Sequence, residues 1–153
     1  MKIEDLTPEH FNPSNQNGDI TLEIWNEDVL LQDNIHFYGE SHDITPFLEE
    51  IKERLICFNQ DKDLVLQNII DKGYLQTAEA WAEDSNISLP ISKEQFLESF
   101  YPFEIGLCIG NIEDEPTIMV YLGSNIESFS DHVLCCYIKK SHNQMEYQSI
   151  LEG

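Results

Sequence analysis

The histidines of this chain are the first residues to test for metal chemistry. His36 and His42 lie six positions apart, outside the i, i+4 spacing that places two imidazoles on one helix face. A zinc or iron site built from His36, His42, His132 and a carboxylate stays open as an alternative. Because no ligand-spacing motif supports it, we predict neither a metal site nor a cofactor.

Nucleophilic catalysis has equally little support. Residues 130–132 read Ser-Asp-His, but three consecutive residues do not converge as a catalytic triad requires, so a polar turn before a strand is the simpler interpretation. Cys108, Cys135 and Cys136 lie in apolar segments, which favours structural thiols in a reducing compartment. Cys57 also has apolar neighbours. We therefore predict no catalytic residue, and a thiol or metal-dependent enzyme with an unrecognised site remains the alternative.

The charge of the chain is its strongest signal. Twenty-nine Asp and Glu face eight Lys and Arg, a net charge of −21 over 153 residues, and the acids are spread along the whole chain. The composition is 41% hydrophobic, enough to form a core, so the acidity indicates a folded surface. Such a surface repels nucleic acid and anionic membranes. The N-terminus lacks the apolar run of a secretory signal, and we expect a cytoplasmic protein.

Period-two alternation marks strands near the N-terminus. Residues 19–25 alternate apolar and polar side chains, which predicts a strand. Residues 26–28 are predicted to turn, 29–32 to form a return strand and 34–38 a third short strand. The strand phase leaves Trp25 opposite the apolar positions, so it is either an exposed partner-binding residue or, where helices or loops cover both faces of the sheet, part of the core.

Helical periodicity follows in the middle of the chain. Thr45 as a cap and Pro46 in the first turn predict a helix that extends to Phe58. A second helix is predicted over 61–72, with Gly73 just beyond its end. A third helix is predicted over 75–83, and a fourth begins at a capping box formed by Ser92 and Gln95 and runs through Phe100.

The C-terminal third returns to strand patterning. Pro102 is predicted to end the fourth helix, and strands follow over 103–109, 117–122, 133–138 and 145–151, the third of them covered on both faces. Strands, then helices, then strands indicate the α+β class. We predict an irregular lead-in over 1–18 and a single α+β domain over 19–153. Its mostly antiparallel sheet is built from N-terminal and C-terminal strands, with three to four helices from the middle of the chain packed on one face.

A family resemblance covers roughly residues 19–153. The pattern Phe96-Leu97-x-x-Phe100-Tyr101 followed by Phe103-x-Ile105-Gly106-Leu107 resembles a helix that leads into a strand in small acidic bacterial families of unknown function. The acidic segment before Thr117 and the polar segment before Val133 fit the same pattern. Families of this kind have immunity-protein-like character, so the resemblance implies a possible immunity role and no catalytic residues.

These observations predict a non-catalytic protein-binding module, most concretely a bacterial immunity-type inhibitor that covers a basic toxin, such as a nuclease, with an acidic surface. The alternatives are the unrecognised enzyme above and a structural or regulatory subunit that is acidic for solubility. We expect a basic protein partner, no nucleic acid, no membrane, and a monomer or homodimer. The residues predicted to bind the partner are Trp25, Glu27, Asp28, Glu40, Asp43, Glu113, Asp114 and Glu115.

Overall fold

Strands lie in the sheet in the order in which they follow one another along the chain. The computed structural model describes residues 1–12, 19–40, 42–82, 90–126, 128–129 and 131–153, without the side chains of residues 32 and 33. In that part of the chain, six strands and four α-helices form the predicted α+β domain. The strands are β1 Thr21–Ile24, β2 Glu27–Phe37, β3 Phe100–Ile109, β4 Thr117–Ser124, β5 Val133–Ser141 and β6 Gln144–Glu152, and the helices are α1 Leu48–Gln60, α2 Lys62–Asp71, α3 Tyr74–Trp81 and α4 Lys93–Glu98.

The sheet is mostly antiparallel, as predicted, with one parallel pair. Strands β2 and β3 are parallel because the whole helical segment lies between them and returns the chain to the end of the sheet at which β2 begins. Their register pairs Phe37 with Ile109, the last residue of each strand. The carboxyl ends of β2 and β3 therefore meet at one end of the sheet.

The hydrophobic core lies between one face of the sheet and the helices. Alternate residues of the strands point to this face, because successive side chains of a strand alternate sides. From β3, β4 and β5 they include Ile105, Leu107, Ile118, Val120, Leu134 and Cys136, and they share one buried cluster with the apolar side of the helices. Each large aliphatic side chain that is fully buried there stabilises the fold by about 1.5–3 kcal/mol.

Two predicted helix signals are confirmed. The Gln95 backbone N–H donates to Ser92 Oγ at 3.0 Å, which caps the N-terminus of α4. Gly73, with φ of 79°, separates α2 from α3 in the left-handed conformation that favours glycine. These local signals are reliable because they depend on neighbouring residues alone.

Several predicted boundaries are wrong. The β1–β2 turn consists of Trp25 and Asn26, both with positive φ, and the segments predicted as two short strands form the single strand β2. Helix α4 ends at Glu98, so Pro102 does not terminate it. Pro102 lies inside β3, next to a register shift in the pairing with β4 that accommodates the missing backbone N–H.

The first twelve residues contribute to the folded unit. They form short 3-10 helices at Ile3–Asp5 and Pro8–Phe11, and the side chains of Ile3, Leu6 and Phe11 are buried in the main core. The Met1 ammonium group donates to the Thr21 carbonyl at 2.8 Å, and the Glu23 N–H donates to the Met1 carbonyl at 2.9 Å. The N-terminus therefore lies along the outer edge of β1. Residues 13–18 of the predicted lead-in lie outside the described residues.

Candidate protein-binding surface

Trp25 is buried, so the core alternative is confirmed and the exposed position that its predicted partner-binding role requires is wrong. Its side chain is 8% exposed and stacks on Phe58 of α1 with ring centroids 4.7 Å apart. The indole Nε1–H donates to the Phe58 carbonyl at 3.0 Å, and the Trp25 N–H donates to Asn59 Oδ1 at 2.8 Å. The tight turn departs from the strand phase and directs the ring toward the helices. Trp25 therefore holds the β1–β2 turn against α1, and its burial leaves it unsuited to anchoring a partner.

The predicted acidic residues divide between two ends of β2. Glu27 and Asp28 are exposed at its start, whereas Glu40 and Asp43 follow its end. An 11-residue strand spans about 30 Å, so the two groups do not form one site. The exposed residues Glu113, Asp114 and Glu115 follow β3, whose carboxyl end lies beside that of β2. The structure thus brings Glu40 to the same end of the sheet as the β3–β4 turn.

A buried arginine fixes the β3–β4 turn. Arg54 of α1 is only 3% exposed, and its Nε donates to Glu50 Oε1 at 2.8 Å. One terminal nitrogen donates to the carbonyls of Pro116 at 3.3 Å and Ile138 at 3.1 Å. The other donates to Glu115 Oε2 at 3.4 Å. The guanidinium therefore ties the acidic turn to α1 and β5, and Glu115 has a structural contact in addition to its exposed position.

Asp43 supports the start of the helical segment. Its Oδ1 accepts hydrogen bonds from the Thr45 hydroxyl at 2.7 Å and the Thr45 N–H at 3.0 Å. These bonds favour the ionised carboxylate and lower the pKa of Asp43 below its ordinary value. This contact orders the chain ahead of the 3-10 helix Thr45–Phe47 that leads into α1.

The three histidines considered for a metal site have other neighbours. His36 Nε2 is 2.9 Å from Asn34 Oδ1, His42 stacks on Phe37, and His132 packs against Trp81. Within the described ranges, no three side chains of His, Cys, Asp or Glu are placed to share a metal ion. Ser130, the first residue of the Ser-Asp-His run, lies outside those ranges.

The buried thiols have raised pKa values. Desolvation by burial raises the pKa of both Cys135 and Cys136 to about 12, and burial together with nearby Asp61 raises that of Cys57. Nucleophilic cysteines instead carry a lowered pKa, because the thiolate is the reactive form. The environments of these three cysteines therefore keep the thiols protonated at neutral pH.

The second face of the sheet presents a row of aromatic side chains. The set comprises Tyr38, Tyr101, Phe103, Tyr121 and Tyr137, and none of these belongs to the core cluster that the described helices share with the sheet. We call this surface the open face; it also includes the buried Met119 and Cys135 and the exposed Ile150, which alternate with core-facing residues in β4, β5 and β6. Helices of the described ranges cover one face of β5, and Cys135 is also fully buried on the other face, so the prediction that β5 is covered on both faces holds at that residue.

Glycines flatten the open face by letting neighbouring side chains lie over the backbone. A Cβ atom on Gly123 would lie 2.6 Å from the Tyr101 ring, and one on Gly110 would lie 2.5 Å from the Tyr38 ring. Gly106 is similarly covered by Met119, whose Cγ would be 2.8 Å from the added atom. Contacts this short show that the rings occupy the space of missing side chains, so they lie close to the sheet.

Hydrogen bonds hold two tyrosines of the open face in place. Asn34 Nδ2 donates to the Tyr121 hydroxyl at 3.1 Å, and the Tyr137 hydroxyl donates to Glu152 Oε1 at 3.2 Å. Partial burial, the leading cause, raises the pKa of Tyr121 above its ordinary value and that of Tyr137 to about 12. Both hydroxyls are thus neutral and oriented at physiological pH.

The sequence predictions missed most of this surface. Tyr121 is out of phase with the apolar residues of β4, which is the signal of an aromatic residue on the second face of a sheet. Tyr147, by contrast, is in phase with Met145 and Leu151 of β6 and is buried on the core side, with its hydroxyl donating to Asp61 Oδ2 at 2.6 Å. The phase of an aromatic residue within its strand thus gives its face, whereas the tyrosines that become neighbours across the sheet are set by the strand register. Ile112, 73% exposed between β3 and the acidic residues, carries no periodic signal at all.

Comparisons with protein-family models, curated proteins and solved structures find no match to this chain. The resemblance to small bacterial immunity-like families therefore stays a prediction. The helices of the described ranges are all too short or too polar to cross a membrane. The fold and the surface described above define an α+β protein with a one-sided helical layer and an aromatic second sheet face.

Proposed function

We propose that this protein is a non-catalytic, cytoplasmic protein-binding module that neutralises a basic protein, most concretely an immunity-type inhibitor of a bacterial toxin such as a nuclease. The observation that carries the proposal is the net charge of −21 on a chain that folds into an ordered domain. Self-repulsion of that size opposes compaction, so its retention favours a role in recognition. A nuclease offers the matching surface, because its substrate groove must attract phosphates.

The acidic residues at the carboxyl end of β2 and β3 support this proposal. Glu113 and Asp114 are exposed, and Arg54 fixes the following residues of the turn to α1 and β5. Charges held in a fixed geometry lose less entropy on binding than charges on a free loop. They also increase the association rate with a basic partner, an effect that falls with ionic strength.

The direct test measures binding to the C-terminal domain of a secreted protein encoded next to this gene. Purified domains are titrated by calorimetry at about 50 mM and about 500 mM NaCl, where the screening length falls several-fold. We expect tight binding that weakens at least about tenfold at the higher salt, and inhibition of the toxin activity at a 1:1 ratio. The absence of binding, together with no toxin sensitivity on deletion of the gene, would exclude the immunity role.

A charge-matched pair of variants locates the acidic contribution. Glu113→Gln/Asp114→Asn removes two charges from the β3–β4 turn, whereas Glu27→Gln/Asp28→Asn removes two from the opposite end of β2. We expect the first variant to slow association by about three- to tenfold at low salt and the second by less than about twofold. Equal effects would show that only the total charge matters.

A further inference from the structure

We propose that the open face is the docking surface for the basic protein partner, with aromatic side chains as its anchors; this inference rests on the proposed function. The open face carries apolar and aromatic side chains that do not belong to the main core. Tyr38 on one side of it is 64% exposed and Ile150 on the other is 39% exposed. Half-buried rings lie on the strands between them, where Phe103 is beside both Tyr101 and Tyr121, with ring centroids 6.4 and 6.2 Å apart. A row of partly exposed aromatic side chains outside the core is typical of interaction sites in soluble proteins.

The size of the open face suits a specific protein interface. Strands β3 to β6 are 8–10 residues long and lie about 4.8 Å apart, so the face covers roughly 500 Å² in projection. Side-chain relief and the Tyr38 end add to that area. A standard interface buries about 800 Å² on each partner, which the open face and its rim together approach.

The open face is also preorganised. Tyr38 and Tyr101 lie against glycine backbone, while the hydroxyls of Tyr121 and Tyr137 are hydrogen-bonded within the sheet. Rings already held in one position lose little side-chain entropy when a partner covers them. Tyrosine is among the residue types that most often dominate binding energy at interfaces.

Charge decides which partner fits the open face. Its rim carries the carboxylates of Glu146 and Glu152 on β6 and that of Glu40 beyond Tyr38. The Lys139 ammonium on the same face donates to Gln148 Oε1 at 2.7 Å. A second copy of this chain would bring a further net charge of −21 against these carboxylates. A basic protein complements them, and we assign the open face to such a partner.

The neighbouring edge of the sheet is blocked, which favours docking on the face. The Asn68 side chain accepts the Ser149 N–H at 3.0 Å, and the Tyr74 hydroxyl donates to the Ser149 carbonyl and accepts the Leu151 N–H, both at 3.2 Å. These contacts occupy main-chain groups that an added strand would need. A partner that approaches β6 therefore meets the side chains of the open face.

The test compares two variants with the same change in charge. Ile150→Lys places a cation on the open face, and Leu64→Lys places one on α2, where Leu64 is 61% exposed on the helical layer. The probe is the toxin domain used to test the proposed function, titrated at low salt by calorimetry. We expect Ile150→Lys to raise Kd by about 30-fold or more and Leu64→Lys by less than about threefold.

Milder substitutions on the open face test the same assignment with less risk of unfolding the protein. Ile150→Thr retains a β-branched side chain and is expected to raise Kd about three- to fivefold, and Tyr38→Ala about tenfold. Circular dichroism and urea midpoints confirm that each variant is folded. Suppose that the wild-type protein binds the domain. If Ile150→Lys and Tyr38→Ala then leave Kd unchanged, or if Leu64→Lys raises Kd as much as Ile150→Lys does, the assignment of the open face would be overturned while the proposed function would stand. A wild-type protein that does not bind the domain would overturn the proposed function itself.

Discussion

Replacing Arg54 with Met tests the structural role assigned to the buried guanidinium. The wild-type group connects Glu50 and Glu115 to the carbonyls of Pro116 and Ile138 through contacts of 2.8–3.4 Å. Methionine preserves much of the side-chain volume and removes every donor. The variant therefore isolates the hydrogen bonds and ion pairs from the packing of the aliphatic stem.

The contacts contribute unequally to the free energy of unfolding. Glu115 is 75% exposed, so its ion pair contributes at most about 1 kcal/mol, and the pair with Glu50 within α1 contributes about 0.5 kcal/mol. The carbonyls of Pro116 and Ile138 lose a charged donor inside the fold, which costs about 1–3 kcal/mol each. Apolar contacts of the new methionine offset part of this loss. We expect Arg54→Met to lower the free energy of unfolding by about 2–4 kcal/mol.

Urea unfolding monitored by tryptophan fluorescence gives this free energy directly, and heating should show a Tm lowered by about 5–15 °C for a chain of this size. Glu115→Gln is the matched control, because it removes only the exposed partner and should change the free energy of unfolding by less than about 1 kcal/mol. An Arg54→Met protein within about 1 kcal/mol of wild type, or no less stable than Glu115→Gln, would refute the reasoning.

Three further predictions follow from the core, the thiols and the sheet edge. Trp25→Ala removes a buried ring stacked on α1 and should lower the free energy of unfolding by about 3–5 kcal/mol in urea titrations; a change below about 1 kcal/mol would indicate an exposed ring. Raised thiol pKa values stabilise the fold below pH 9.0, the ordinary value, and this stabilisation is lost as pH rises toward about 12. Between about pH 8 and pH 10 the free energy of unfolding should fall by about 1.4 kcal/mol for each of the two thiols, and it should fall less in a Cys135→Ala/Cys136→Ala variant. The same dependence of this free energy on pH in both proteins would contradict the prediction. Tyr74→Phe removes the hydroxyl bonded to Ser149 and should cost about 1–2 kcal/mol and increase association through β6 in light scattering; a variant as stable and monodisperse as wild type would show that this contact is dispensable.

The fold class was predictable because it depends on the order of periodic segments. Strands before and after a helical segment can form one sheet only if the connection crosses back over it, and the helices then cover one face. The local signals at Ser92 and Gly73 were also confirmed, since each depends on a capping bond or a backbone angle set by adjacent residues. These are properties of short stretches of chain.

The errors arose where tertiary contacts override local pattern. Trp25 follows a strand in which it is out of phase, yet the positive φ of the turn residue directs its ring into the core. Proline ends many helices, but the chain before Pro102 is already extended from Phe100 onward and pairs with β4. The helix-terminating tendency of proline says where a helix cannot continue and does not require a helix to reach that point.

The candidate site was only partly predictable for the same reason. Charge counts identified the acidic residues of the β3–β4 turn, but Arg54, which fixes them, is 61 residues from Glu115 in the chain. The tyrosines of the open face come from segments that meet only in the folded sheet. Their common position on the second face follows from strand register and from the side on which helices pack, and neither is encoded in a local window.

The charge and the open face make complementary contributions to the proposed recognition. Long-range attraction by distributed carboxylates accelerates encounter but discriminates poorly among basic proteins, because it depends mainly on net charge. Discrimination needs short-range contacts in a fixed geometry, and the aromatic rings lying against Gly110 and Gly123 provide such a surface. If both act, salt should slow association while leaving dissociation nearly unchanged, whereas variants of the open face should accelerate dissociation. Association and dissociation rates measured by surface plasmon resonance would separate the two contributions. If variants of the acidic residues, or variants of the open face, changed both rates equally, the charge and the open face would not act independently.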